Sequence, residues 1–301
     1  MALALSAVNE VPFVRSPYIV DLMERAAQYL KNGLSINLIG PPGVGKTTLA
    51  LTLGHELERP SVFVQGHHDM STTDLVGGYR GYRYHKAVDN FIRDVVKVDE
   101  RMDSNWTEGW LSLAIKKGHT VILDEFNRIP TEVQSILLAI LQEHILPVSR
   151  IGHTQTIPVH PQFRLIMTSG MSDQTGIYPI LEGLIDRTVT ISLETLDEQT
   201  EVMIVSAHSH LPLEESQQIV RLIRHIRYQT PSRRRKSSEL VVHNPSIRMG
   251  VALGIMLQAE GWSLTRHVLP TNFSQIVKDL CGPFSTITLK DIEGFLVTLS
   301  D

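Results

Sequence analysis

Apolar residues along this chain follow two rhythms, and the switch between them divides it. Over Pro17–Lys31, Leu22, Met23, Ala26 and Leu30 recur at helical spacing, which predicts a helix with one buried face. Ser35–Ile39 is a short apolar run ahead of a glycine-rich turn, the pattern of a strand buried on both sides. Further strands are predicted at Ser61–Gln65, Thr120–Leu123, Arg164–Thr168 and Val189–Leu193, with helices at Thr47–Leu57 and Thr131–His144. In the last of these, Val133, Ile136, Leu137, Ile140 and Leu141 form one stripe. Residues before 17 read as a loosely tied arm. Strands alternating with helices imply an α/β fold, a parallel sheet with helices on both faces.

Beyond about residue 194 only the helical rhythm remains, at Asp197–Ser209, Glu214–Tyr228, Pro245–Gln258 and Leu289–Thr298. The polar stretch Pro231–Ser238, with the basic run Arg233–Lys236, reads as a solvated loop. The expected layout is an α/β domain over 1–194, carrying an insertion near 78–105, and a smaller helical domain over 195–301.

Composition narrows the functional classes. The 301 residues are 42 % apolar with a formal net charge of −4, so bulk charge does not draw the chain to nucleic acid or anionic membrane. One cysteine, Cys281, rules out a disulfide within the chain and suits a reducing cytoplasm; it reads as a small buried apolar residue. No apolar run reaches the roughly 18 residues that a membrane helix needs. Met1–Ala7 lacks the basic flank of a secretory signal.

The candidate chemistry begins at Gly40-Pro41-Pro42-Gly43-Val44-Gly45-Lys46-Thr47, followed by Thr48, which matches G-x-x-x-x-G-K-[ST] between a predicted strand and a predicted helix. Glycines let backbone N–H groups turn around a phosphate, and the helix N-terminus adds its dipole. Lys46 supplies charge to the β- and γ-phosphates of ATP, and Thr47 a hydroxyl to Mg²⁺. About 75 residues later the strand Thr120–Leu123 ends in Asp124-Glu125. Asp124 is the second candidate for Mg²⁺ and Glu125 the candidate base that polarises the attacking water. His67-His68-Asp69 offers too few ligands for a metal site.

Asp124-Glu-Phe-Asn-Arg128 resembles the D-E-x-N-R motif of the MoxR branch of the AAA+ ATPases, and Leu146–Thr168 resembles that branch's hairpin before the sensor-1 strand. Leu184-Ile-Asp-Arg187 is similar to the L-x-D-R motif whose arginine acts on a neighbouring subunit's ATP. Pro245-Ser-Ile-Arg248 resembles the sensor-2 motif. The block Val88–Glu100 with Asn105-Trp106, together with Val159–Arg164 and Asp186-Arg187, resembles the gas-vesicle GvpN family over roughly residues 15–255. The resemblance implies a P-loop AAA+ domain with a helical lid, ATP and Mg²⁺ as cofactors, and catalytic roles for Glu125, Lys46 and Arg187, with Arg248 on the nucleotide. It also implies a homo-oligomeric, hexameric ring in the cytoplasm that acts on gas vesicle shell or accessory proteins, with no nucleic acid or membrane partner. A chaperone activating a metalloenzyme and a nucleotide-gated scaffold with little turnover are the alternatives.

Three features stand apart from the motifs. Asn127 and Arg128 either set the rotamer of Glu125, touch the next subunit or cap the following helix. Tyr79–His85 interleaves aromatic and basic residues and reads as an ordered loop, with contact to a polypeptide client or single-stranded nucleic acid as sharper alternatives. Relatives carry asparagine at the sensor-1 position, where this chain has Gly170. Either Thr168 or Ser169 reaches the attacking water in its place, or turnover is slow.

Overall fold

In the computed structural model, which describes residues 3–4, 13–92, 95–150, 153–170, 178–229, 245–282 and 288–298, the chain opens with β1 (Leu3–Ala4), α1 (Pro17–Lys31), β2 (Ser35–Ile39) and α2 (Lys46–Glu56). Then come β3 (Ser61–Gln65), α3 (Thr72–Val76) and a two-stranded ribbon, β4 (Gly77–Ile92) and β5 (Val95–Glu108). α4 (Trp110–Lys117), β6 (Thr120–Asp124), a 3-10 turn at Phe126–Arg128 and α5 (Thr131–Glu143) follow. A second ribbon, β7 (Ile145–Arg150) and β8 (His153–Pro158), leads to β9 (Arg164–Ser169), α6 (Glu182–Asp186) and β10 (Thr188–Ser192). The remainder is helical: α7 (Glu198–Ser209), α8 (Leu213–Gln229), α9 (Ile247–Glu260), α10 (Phe273–Cys281) and α11 (Leu289–Thr298).

The main sheet has the order β1-β3-β6-β9-β2-β10. β3, β6, β9 and β2 run parallel, and β1 pairs antiparallel with β3, Leu3 opposite Phe63. β6 and β9 are buried at every position, as strands covered on both faces must be. Parallel pairing sends the C-terminal ends of β2, β3, β6 and β9 to one edge, where α/β sheets bind ligands. One pair of buried polar side chains links two of these strands: Ser169 Oγ of β9 donates to Asn37 Oδ1 of β2 at 2.8 Å. The start of β9 is pinned by Arg164, whose guanidinium donates to the carbonyls of Leu30 at 2.6 Å and Phe163 at 2.7 Å.

The chain divides into two compact units. The first takes in Ala26–Ile39 and Ala50–Ile191, around a core that includes Leu111, Leu123, Phe126, Leu137 and Leu165. The second takes in the first part of α1, the stretch Gly40–Leu49 and everything described from Ser192 onward. Its core packs Val205, Ile223, Leu253, Leu257 and Val277. One buried carboxylate ties this second unit together. Glu201 of α7 accepts from Arg224 Nε at 2.7 Å and from Arg227 Nη1 at 2.9 Å, both on α8. Arg224 also donates to the Leu196 carbonyl and Arg227 to the Pro245 carbonyl, so the segments entering α7 and α9 are held by the same cluster.

Three findings depart from the sequence expectations. The first residues include a strand, Leu3–Ala4, where a loose arm was expected. The stretch Tyr79–His85 is part of β4 rather than a loop; its alternation of aromatic and other residues is a strand rhythm, and Tyr79 packs edge-on against Trp106 of β5 at 5.2 Å. α10 was not anticipated, although Phe273, Ile276, Val277, Leu280 and Cys281 recur at helical spacing along its nine residues. The Leu146–Thr168 stretch does contain a hairpin: Pro147 and Pro158 lie in the two-stranded ribbon β7–β8, where every strand is an edge and a missing N–H is tolerated. The Arg233–Lys236 run lies outside the described residues.

Candidate nucleotide site

The glycine-rich turn leaves β2 at Gly40 and enters α2 at Lys46. Two of its glycines occupy left-handed backbone, Gly43 at φ 85° and Gly45 at φ 89°. They differ in surroundings. A Cβ on Gly43 would stand 2.4 Å from Cβ of Ser246, the N-cap residue of α9, whereas one on Gly45 would meet nothing within 4 Å. Gly43 is therefore required by a close approach, and Gly45 by backbone conformation beside an open space. Lys46 Nζ donates to the carbonyls of Gly40 and Pro41, each at 2.9 Å, so its ammonium lies over its own turn. Arg248, in the first turn of α9, is exposed.

In the first unit, Asp124 closes β6 and Glu125 follows it in left-handed backbone, φ 53° and ψ 44°. For a residue with a Cβ this conformation costs roughly 1–2 kcal/mol, so something must hold it. The hydroxyl of Thr168, on the neighbouring strand β9, donates to Asp124 Oδ1 at 2.6 Å and accepts from the Glu125 N–H at 3.0 Å. The Arg128 N–H donates to the Glu125 carbonyl at 2.9 Å and the Gly66 N–H to the Asp124 carbonyl at 2.7 Å. A Cβ on Gly66 would stand 2.7 Å from the Glu125 carbonyl oxygen, so only glycine lets the end of β6 come this close to β3.

The Glu125 carboxylate pairs with Arg128 Nε at 3.1 Å, with the two side chains 40 % and 49 % exposed. A pair this exposed contributes about 0–1 kcal/mol, so it biases the carboxylate without locking it. Asn127 is buried; its amide donates to the Gly170 carbonyl at 3.4 Å. Gly170 is not among the positive-φ glycines, and a Cβ there would find its nearest neighbour, Asn127 Nδ2, at 3.8 Å. A larger side chain at 170 is thus compatible with the backbone and with the space around it. Thr168 and Ser169, offered from sequence as substitutes for the missing asparagine, are engaged instead with Asp124, Glu125 and Asn37.

Arg187 follows α6, and its Nη1 donates to the Gly183 carbonyl at 3.0 Å and sits 3.5 Å from Asp186 Oδ2. The height of α6 is set by Gln134 of α5, fully buried, which donates to the carbonyls of Ile129 and Pro179 and accepts from the Leu181 N–H. Gly66 and Gln134 were not singled out as site residues from sequence, Ser246 was named only within Pro245–Arg248, and Thr168 only as a substitute for the sensor asparagine. For Thr168 a signal existed, a hydroxyl at the end of the apolar run Leu165–Met167; Gln134, between Val133 and Ser135, carried none.

The residue types fit a nucleoside triphosphate with a hard divalent ion. Thr47 and Asp124 offer oxygen ligands, which suit Mg²⁺. Among the described residues no group of three or more His, Cys, Asp or Glu could hold a metal, so such an ion would draw its remaining ligands from water and phosphate oxygens, as Mg²⁺ commonly does.

The family model described as AAA domain (dynein-related subfamily) matches residues 35–188. The chain is 35 % identical over 228 residues to the gas vesicle ATPase GvpN of Ancylobacter aquaticus, covering 74 % of this chain and 64 % of that protein. It is 34 % identical over 221 residues to the GvpN of Haloferax mediterranei, covering 73 % and 64 %. The chain thus spans a little under two thirds of the length of these relatives. The protein NorQ of Paracoccus denitrificans is 29 % identical over 209 residues, 69 % of each chain. Among solved structures, NtrX of Brucella abortus, determined in complex with ADP, superposes with a TM-score of 0.53 at 14 % identity, over 96 % of this chain and 61 % of that one, a likeness of fold.

The two glycines of the turn make a comparative prediction. Gly45→Ala costs roughly 1–2 kcal/mol, the left-handed strain alone. Gly43→Ala adds roughly 1–3 kcal/mol more for overpacking against Ser246. Urea unfolding of the two variants measures the gap; equal losses would mean that Gly43 and Ser246 are not in close approach.

Proposed function

Because the chain belongs to the AAA domain family, in its dynein-related subfamily, we propose that it is a Mg-ATP-dependent ATPase that assembles or remodels gas vesicles. The observation that carries the vesicle assignment is the likeness to gas vesicle ATPases over 74 % of this chain. The ATPase assignment rests on the succession of a phosphate-binding turn after β2 and an Asp-Glu pair after β6, two parallel strands of one sheet.

The roles follow from the chemistry of each group. Backbone N–H groups of Gly40–Thr48 cradle the phosphates, and Lys46 exchanges its two carbonyl partners for phosphate oxygens. Thr47 and Asp124 would hold Mg²⁺, which when bound neutralises charge developing on the phosphates. Glu125 orients and polarises the attacking water. Arg187 acts on the nucleotide of a neighbouring subunit. Its present contacts are to a carbonyl and to an exposed aspartate at 3.5 Å, a pairing of about 0–1 kcal/mol, so releasing it costs little. Arg248 contributes from the lid, with residues 1–194 acting as the nucleotide-binding domain and 195–301 as the lid. The assembly is a hexameric ring in the cytoplasm whose partners are vesicle shell or accessory proteins, without nucleic acid or membrane. Among the described residues no helix is long and apolar enough to cross a membrane.

A cell-level experiment tests both halves of this function. Deleting the gene in its host leaves vesicles absent, few or small; the wild-type copy restores them and Glu125→Gln does not. The purified Glu125→Gln protein keeps ATP binding and loses hydrolysis on the order of 10²–10⁴-fold. Normal vesicles in a verified deletion would refute the vesicle role, and wild-type hydrolysis by Glu125→Gln would refute the base.

Gly170 favours a second reading, a nucleotide-gated switch of slow turnover, because glycine offers no side-chain amide to the γ-phosphate or the water. Gly170→Asn then raises kcat with little change in ATP affinity. Single-turnover rates decide the matter, and an equal or lower rate in the folded variant means that another group already fills that role.

A further inference from the structure

Thr168 is 1 % exposed, and its hydroxyl serves the two acidic residues at the end of β6 at once. The hydroxyl proton is committed to Asp124 Oδ1 at 2.6 Å, a short bond of the charge-assisted kind. The oxygen accepts from the Glu125 N–H at 3.0 Å. Neither bond reaches outward to a substrate. The left-handed backbone of Glu125 carries a conformational cost comparable to the net worth of one hydrogen bond. Losing the hydroxyl therefore weakens the hold on the Glu125 backbone, leaving the Arg128 N–H bond to its carbonyl and the close approach of Gly66. The Asp124 carboxylate would lose one short hydrogen bond in the same step.

We infer that Thr168 is a positioning residue: one buried hydroxyl sets the rotamer of the carboxylate that faces the metal and the backbone of the residue whose carboxylate faces the water. The inference rests on the ATPase reading above. It assigns Thr168 a place behind the two carboxylates rather than in the vacant asparagine position. Two properties should then move together on removing the hydroxyl, the hydrolytic rate through Glu125 and the metal dependence through Asp124. A hydroxyl that served only to satisfy a buried strand end would affect stability and neither of these.

The test compares Thr168→Val, which keeps the shape and removes the hydroxyl, with Thr168→Ser, which keeps the hydroxyl. Ser169→Ala serves as the control, since it removes the neighbouring buried bond to Asn37 on the same strand. Thr168→Val is expected to lower kcat on the order of 10–100-fold, the scale of a misplaced catalytic group. It should also raise the Mg²⁺ concentration at which a fluorescent ATP analogue binds half-maximally, while affinity for the analogue without Mg²⁺ stays the same. Thr168→Ser should restore both properties, and Ser169→Ala should lower the melting temperature and leave both unchanged. If Thr168→Val does not fold, Thr168→Cys, a weaker donor, takes its place with the same direction of change. Wild-type kcat together with wild-type Mg²⁺ dependence in a folded Thr168→Val or Thr168→Cys protein overturns the inference. If the wild-type protein binds the analogue but hydrolyses no ATP, the ATPase reading fails on its own, and the Mg²⁺ dependence of analogue binding decides the role of Thr168.

Discussion

The parallel pairing of β6 with β9 brings the Thr168 hydroxyl to within hydrogen-bonding distance of Asp124 and of the Glu125 amide. Both strands are buried along their whole length, so they cannot slip by one residue without turning their side chains to the opposite faces of the sheet. That hydrophobic constraint is what gives a strained, half-exposed glutamate a reproducible position. The packing of Gly66 against the Asp124 and Glu125 carbonyls serves the same end from β3.

The second unit solves a different problem, which is to hold a turn with few side chains of its own. Gly43 can lie against Ser246 only because it lacks a Cβ, and Ser246 is fixed by its neighbour Pro245, whose carbonyl receives Arg227. Arg227 in turn is held by the buried carboxylate of Glu201. A chain of contacts therefore runs from the helical core of the second unit to the glycine-rich turn. Burying Glu201 is costly, and the two guanidinium partners offset that cost while tying α7, α8 and the start of α9 into one arrangement.

Much of the fold was legible because its strands are short apolar runs with few competing readings. β2 and β3 fall where the sequence placed them, and β6 and β9 differ by one residue at one end. The amphipathic helix α5 was read from its stripe to within a residue. The ribbon β4–β5 was missed because Tyr79–His85, with its interleaved aromatic and basic residues, read as an ordered loop. At the site, motif residues carried their own spacing and could be named directly. Gly66 and Gln134 could not, and Thr168 was named for a different role, because their importance comes from a neighbour distant in sequence: Thr168 meets Asp124 across 44 positions. Local pattern carries no information about which strand will lie beside which.

On the proposed function, the turn at Gly40–Thr48 and the acidic end of β6 serve one hydrolytic reaction. Phosphate release in a single turnover with Mg²⁺ measures that reaction directly, comparing the wild-type protein with Lys46→Ala at equal oligomer concentration. The account predicts Mg²⁺-dependent release by the wild type and its loss in a folded Lys46→Ala protein. Equal release by the two, or none from the assembled wild-type protein, would contradict it.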